Sequence, residues 1–191
     1  PIHSSAASDV YKRQVENPSE IFLRQRAEGP GGVVVTSMEG TRPILVEVQA
    51  LAVPSVYSSP RRTTLGFDAN RTSMICAVLE ARAAVDLTGQ DLFVNVAGGV
   101  RIQETGIDLG VALALASTTR RTAIASDLVC IGEIGLSGEV RSVPQLELRL
   151  QEAEKLGFKT AVVPAVDRDK LSITFSALKL KWVYTLQAAL A

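Results

Sequence analysis

Between Leu92 and Ala116 the chain passes from a strand, through a glycine-rich loop, into a helix with almost no polar side. Leu92 to Ala97 is a short apolar run with β-branched and aromatic members, stopped by Gly98-Gly99, and it reads as a buried strand. From Leu109 to Ala116 nearly every residue is apolar or small. A helix of that composition has to be buried on all sides. The loop between them carries Arg101, Glu104 and Asp108 beside a helix N-terminus, a common place for chemistry.

The rest of the chain supplies alternating strands and helices around that unit. Asn17 to Glu20 is a turn or the start of a one-turn helix, and Glu28 to Gly32 is a loop by its glycines and proline. Val33–Met38 and Arg42–Val53 read as a hairpin. In the second arm, Leu45, Glu47, Gln49 and Leu51 share one face, and Ile44, Val46, Val48 and Ala50 the other. Thr63–Phe67 is a third short strand. Asp68 or Asn70 caps a helix from about Arg71 to Val85, with its stripe at Ile75, Val78, Leu79 and Ala83. The central helix ends near Arg120-Arg121, where two cations suit the negative end of its dipole.

Leu128–Ile134 reads as one strand, and Gly135–Gly138 as a turn back to Glu139–Arg141. Ser142 to Gln145 reads as a capping box with proline in the first turn of a helix that runs to Leu156, striped at Leu146, Leu150 and Ala153. Lys159–Val163 is a strand, Ala165–Lys170 a turn or short helix, Leu180–Val183 a last strand, and Leu186–Leu190 a helical tail. The order gives an α/β chain with a mixed sheet, part antiparallel and part parallel, under helices.

Two motifs carry a resemblance. Thr105-Gly-Ile-Asp-Leu-Gly before a small-apolar helix resembles the Lon-protease segment that delivers a nucleophilic serine. Gly132-Glu-Ile-Gly-Leu-Ser-Gly-Glu-Val-Arg-Ser-Val-Pro-Gln-Leu-Glu147 resembles the segment that delivers its partner lysine. The serine position falls at Asp108 and the lysine position at Glu147, so neither catalytic group is present. With Gly40-Thr-Arg-Pro and Pro60-Arg-Arg, the pattern resembles the C-terminal Lon-like domain of the RadA (Sms) family of bacterial DNA-repair proteins, from about Val15 onward.

The resemblance implies an α+β two-layer sandwich of the Lon-protease-like, ribosomal protein S5 domain 2-like type. It further implies a non-proteolytic scaffold in an ATP-driven DNA motor of recombinational repair. That motor would be a homo-oligomeric ring, hexameric by the resemblance, on single-stranded or branched DNA, with a RecA-type recombinase as a further partner. ATP and zinc would belong to N-terminal domains of the parent protein, and no cofactor is expected in this chain. Residues 1–14 lack a period and do not resemble the family, so the expected domain is 15–191.

Composition narrows the alternatives. The 191 residues are 47% hydrophobic and carry no net charge, so a basic nucleic-acid signal can only be local. Cys76 and Cys130 lie in apolar runs and read as reduced thiols of a cytoplasmic protein. No signal peptide or apolar run long enough for a membrane is seen. His3 is the only histidine, which excludes a Ser-His-Asp triad and a histidine metal site. No Gly-Lys-Ser/Thr follows Gly98-Gly99, so no phosphate loop is indicated.

For Asp108, the spacing Thr105-x-x-Asp108 predicts a capping box, with the helix dipole lowering the carboxyl pKa. That is the wrong direction for a general acid. Glu147 reads likewise as an acid in a first helical turn. The competing enzyme reading is an active Lon-type or acid-dyad peptidase in which Asp108 and Glu147 share a proton. Ser142 offers no other dyad, because Lys155 lies two turns beyond residue 147 and points to solvent beside Glu152.

A third reading is a stand-alone DNA-binding module. Arg61, Arg62, Arg71 and Arg82 face only Asp68 and Glu80 in that segment, and Arg101 and Arg120-Arg121 would join them in space. Arg61, Arg62, Arg71 and Arg101 are the candidate phosphate contacts. No aromatic is expected among them, which argues against base stacking. Glu39–Pro43 and the Arg61-Arg62 loop are expected near one subunit face.

Overall fold

The computed structural model describes residues 17–191, and the head expected at 1–14 lies outside them. The elements are α1 (Pro18–Leu23), β1 (Gly32–Glu39), β2 (Arg42–Pro54), β3 (Arg62–Leu65), α2 (Ala69–Ala83), β4 (Gln90–Val96), α3 (Asp108–Arg120), β5 (Leu128–Cys130), β6 (Glu133–Ile134), β7 (Val140–Arg141), α4 (Leu146–Lys155), β8 (Thr160–Pro164), β9 (Lys179–Val183) and α5 (Leu186–Ala189). Short 3₁₀ segments occupy Ala97–Gly99, Thr105–Ile107 and Ala165–Lys170.

One mixed sheet of seven strands runs in the order β3-β4-β2-β1-β5-β8-β9. β1, β2 and β4 pair antiparallel, and every other contact in it is parallel. The architecture is thus the α/β sandwich with a mixed sheet that the element order predicted. Ile44, Val46, Val48 and Ala50 of β2 pack with α2 and α3, while Leu45 packs on the opposite face with Leu146 and Leu150 of α4. Ser19 of α1 closes the remaining gap there, its buried Oγ accepting from the Leu45 N–H at 2.8 Å.

α3 is buried from Asp108 through Ser117, as its composition demanded. It sits close on the sheet because residue 110 is glycine: a Cβ there would overlap Val35 Cγ1 of β1. α2 begins after Asp68, whose carboxylate accepts from the Arg71 N–H at 2.8 Å, and it buries the expected stripe together with Thr72 and Cys76. Gly157, at φ 88°, follows α4 in the left-handed conformation, where glycine has no Cβ to strain.

Two expected elements differ. The strand expected at Leu128–Ile134 breaks after the Ile131 N–H reaches the Val162 carbonyl at 2.9 Å. Gly132 then leaves the sheet, donating to Gly106 and accepting from Leu109, each at 3.0 Å, and thereby clasps the start of α3. Glu133–Ile134 pairs with Val140–Arg141 as a separate ribbon. The capping box at Ser142 also does not form. Asp167, from the turn after β8, accepts from the Ser142 hydroxyl at 2.5 Å and the Val143 N–H at 3.1 Å. α4 therefore starts at Leu146, behind a left-handed Gln145 at φ 59°.

Both cysteines are buried and free. Burial pushes the Cys130 thiol up to about 12 and raises that of Cys76. Thiolate is the reactive species, so neither should be alkylated by iodoacetamide at pH 8 until the chain unfolds. Mass spectrometry of the native chain that found either residue modified within the mixing time would contradict this burial.

Candidate functional site

Asp108 is the first residue of α3, fully buried, and is not the third position of a capping box. Thr105–Ile107 forms a 3₁₀ turn before it, and the Thr105 hydroxyl donates instead to Glu133 Oε2. The partner of Asp108 is Arg71, from the first turn of α2. Its Nε donates to Oδ1 at 3.2 Å and its Nη2 to Oδ2, and the Ile134 N–H adds a third bond at 3.1 Å. Burial pushes the Asp108 carboxyl above its ordinary value, against the pull of Arg71 and the Ile134 N–H. The dipole argument expected a lowered value, and desolvation overrides it. A raised carboxyl suits a general acid, but Asp108 is sealed from solvent and both of its oxygens are held by partners.

Glu147 does lie in the first turn of α4. It accepts from the Ser172 N–H and, at 2.8 Å, from the Ser172 hydroxyl, and these bonds hold its carboxyl below the usual carboxylate range. The two acids are thus anchored to different partners: one is raised and sealed, the other lowered and partly open. That arrangement is the reverse of two carboxylates sharing one proton.

A serine and a lysine do meet, at a pair of residues different from those the motif pointed to. Lys170 Nζ lies 3.2 Å from Ser142 Oγ, beside a cavity of about 290 Å³ that Glu147 also lines. The same ammonium lies 3.0 Å from Asp167, and its side chain is 67% exposed. A serine–lysine dyad needs an amine taken out of water, and this one lies open to solvent against a carboxylate. Lys155 is exposed, as expected.

Arg149 is the side chain that sequence reasoning missed. It is fully buried, and its two Nη atoms grip both Glu104 oxygens at 2.6 and 2.8 Å. It also donates to the carbonyls of Thr36 (3.1 Å) and Pro144 (2.9 Å). The grip ties the loop before α3 to α4 and β1. The signal was present: position 149 falls three residues after Leu146 within the apolar stripe, where a charge needs a buried partner.

The four candidate phosphate contacts do not form one patch. Arg71 turns inward to Asp108 and is withdrawn from that role. The Arg61 N–H donates to Asp91 at 2.7 Å and its guanidinium approaches the same carboxylate at 3.4 Å. That guanidinium lies 4.5 Å from the Tyr57 ring centre, so an aromatic does accompany the arginines, brought there by the preceding loop. Arg62 is exposed at the start of β3. Arg101 is exposed beyond its other end, at a cavity of about 460 Å³ that Thr64, Phe67 and Asp68 also line. Arg120 lines a different cavity, between α3 and Leu190.

Glu39–Pro43 and Arg61 are also far apart. Asp91, which binds Arg61, pairs with Val53 at one end of β2, and Arg42 begins the other. Eleven residue steps of strand, from Arg42 to Val53, separate them, roughly 37 Å at about 3.4 Å each.

Among the described residues, no cluster of three or more His, Cys, Asp or Glu could hold a metal, and no helix is long and apolar enough to cross a membrane.

Known proteins resemble the chain in two ways. Residues 69–167, which include both Arg71 and Asp108, match the family model described as subunit ChlI of Mg-chelatase. Across most of its length the chain is similar to bacterial proteins named DNA repair protein RadA. It is 49% identical to that of Halalkalibacterium halodurans over 178 residues, covering 93% of this chain and 39% of the relative. The figures are 46% for Aquifex aeolicus and 50% for Bacillus subtilis, each over 157 residues and 82% of this chain, covering 35% and 34% of those relatives. The chain therefore spans between about a third and two-fifths of the curated relatives it matches. Since the family model extends over more than half of its residues, the chain belongs to the family described as subunit ChlI of Mg-chelatase.

Proposed function

We propose that this chain is a non-proteolytic, Lon-like scaffold domain of a RadA-type, ATP-dependent DNA motor that acts in recombinational repair in the cytoplasm. The observation that carries the reading is the Arg71–Asp108 pair. Where the Lon pattern has a serine, this chain has a carboxylate spent on a buried ion pair that joins α2 to α3. Such a residue holds the fold together and offers nothing to a peptide bond. ATP and zinc chemistry would belong to other domains of the parent protein, since Walker and zinc-ribbon motifs are not in this sequence. This domain would contribute subunit contacts in a homo-oligomeric, hexameric ring and a surface along a DNA path, where a RecA-type recombinase would also engage. Arg62 and Arg101 are the arginines left exposed for phosphate contact.

The purified chain should show no turnover of casein or of fluorogenic peptides, and Ser142→Ala and Asp108→Asn should change nothing in that assay. Turnover abolished by either substitution would replace the scaffold with a peptidase. The similarity to proteins named for DNA repair favours a DNA surface as a second property of the same scaffold. Arg62→Ala with Arg101→Ala should weaken single-stranded DNA binding uniformly across sequences and flatten its salt dependence.

A further inference from the structure

The helical layer over the sheet has a gap at one end. α3 packs on β1, β2 and β5, while β9 is left to α5, which is only four residues long. Between the two helices lies a cavity of about 350 Å³. Leu113, Ala116 and Val162 are buried at its floor, and Arg120, Thr122 and Ala125 are exposed at its mouth. Lys181 of β9 stands beside Val162 in the register and reaches the same cavity. Small side chains at Ala116 of α3 and Ala189 of α5 leave the room. Asp108 starts α3 and Arg120 ends it, so the cavity is about 18 Å from the buried Asp108 at 1.5 Å per residue.

The neutral polar groups around the cavity already have partners. Ser117 Oγ accepts from the Gly31 N–H at 2.9 Å and donates to the Thr122 carbonyl at 2.6 Å. The Thr122 hydroxyl donates to the Arg120 carbonyl at 3.2 Å. The Ser117 and Thr118 carbonyls accept from the Thr122 and Arg121 N–H groups, with Arg121 left-handed at φ 54°, so the end of α3 is capped. What remains is charge of one sign. Arg120 and Lys181 line the cavity, and no Asp or Glu does. Among the described residues, neither cation is ion-paired with an Asp or Glu. Lys181 uses one of its three donors on the Ala191 carbonyl, at 3.3 Å. The negative end of α3 opposes an anion with roughly half an elementary charge, and two whole cations outweigh it.

We propose that this cavity binds a small carboxylic acid with an apolar body, aryl or short alkyl. The body lies between α3 and α5, and the carboxylate meets Arg120 and Lys181. A neutral polar molecule would leave water and find its partners here already taken. A wholly apolar one would make no use of the two cations. A cavity of about 350 Å³ falls within the roughly 300–1,000 Å³ of small-molecule sites. The proposal does not rest on the scaffold reading, which concerns the other end of α3.

Calorimetric titration of the whole chain tests it, with phenylbutyrate and octanoate as probes and the neutral amide of each as its control. At least one acid should bind with a Kd of about 1 mM or less, and its amide about tenfold more weakly. The tighter acid tells an aryl body from an alkyl one. Arg120→Gln/Lys181→Gln should weaken the acid about tenfold and leave the amide unchanged. Ala189→Leu, which fills the cavity, should weaken acid and amide alike. Arg120 is exposed and Lys181 half-buried, so the charge variant should fold, and protection of Cys130 from alkylation verifies it. Neither acid binding at about 10 mM overturns the site. An acid and its amide of equal affinity overturn the role of the cations. Acid binding that survives the charge variant unchanged places the ligand elsewhere and overturns the assignment.

Discussion

Replacing Arg149 with methionine is expected to destabilise the chain by about 3–5 kcal/mol, the usual cost of removing one partner of a buried pair. Methionine fills similar space, so the loss is polar rather than a cavity. The carbonyls of Thr36 and Pro144 lose their donors, and the carboxylate of Glu104 loses its cation. For a chain of this length the melting temperature should fall by roughly 10 °C. Glu104→Gln should cost less, because Glu104 is 27% exposed and water can take over part of what Arg149 provides. Lysine at 149 should recover little, since one ammonium cannot span the two carboxylate oxygens as a planar fork does. A melting temperature for Arg149→Met within about 2 °C of the parent would show that the loop before α3 does not depend on this tether.

The second large effect lies at the buried Arg71–Asp108 pair. Arg71→Met strands the Asp108 carboxylate in the interior and should also cost about 3–5 kcal/mol. Asp108→Asn should cost less, because the Arg71 side chain is 23% exposed and its charge can reach water. The double replacement Arg71→Met/Asp108→Leu should recover most of the loss, leaving a coupling of about 2 kcal/mol or more. Additive losses in that cycle would mean that the two residues act separately.

The pH dependence has a definite sign. A carboxyl raised by burial binds its proton more tightly in the folded chain than in the unfolded one. Stability tied to it therefore falls as pH rises from the ordinary carboxylate value through the folded one. With the arginine gone the carboxyl rises further, so the cost of Arg71→Met should be smaller at pH 5 than at pH 8. An equal cost at both values would place the effect in packing rather than charge.

The β1–β2 hairpin, the stripes of α2 and α4 and the all-round burial of α3 were legible because they follow from period and composition alone. The site was legible by position: Asp108 and Glu147 lie on first helical turns. Their partners were not legible. Arg71 is 37 residues from Asp108, Glu104 is 45 from Arg149, and Asp167 is 25 from Ser142. A local capping rule assigned Thr105, Asp108 and Ser142 to backbone N–H groups nearby. Distant side chains took those oxygens because a buried charge is worth more to a charged partner than to a helix end.

The sequence by itself determined most of the strands and helices, the break at Gly132 apart, that the sheet is mixed, and that no serine–lysine pair stands at the two motif positions. Those properties depend on neighbours within a turn or two along the chain. Only the tertiary structure decided that Arg71 faces inward, that Arg149 is buried, and that Arg61 and Arg101 lie at opposite ends of β3. Such outcomes depend on which surfaces folding brings together, and a charged side chain looks the same in sequence whether it ends in water or against a buried partner.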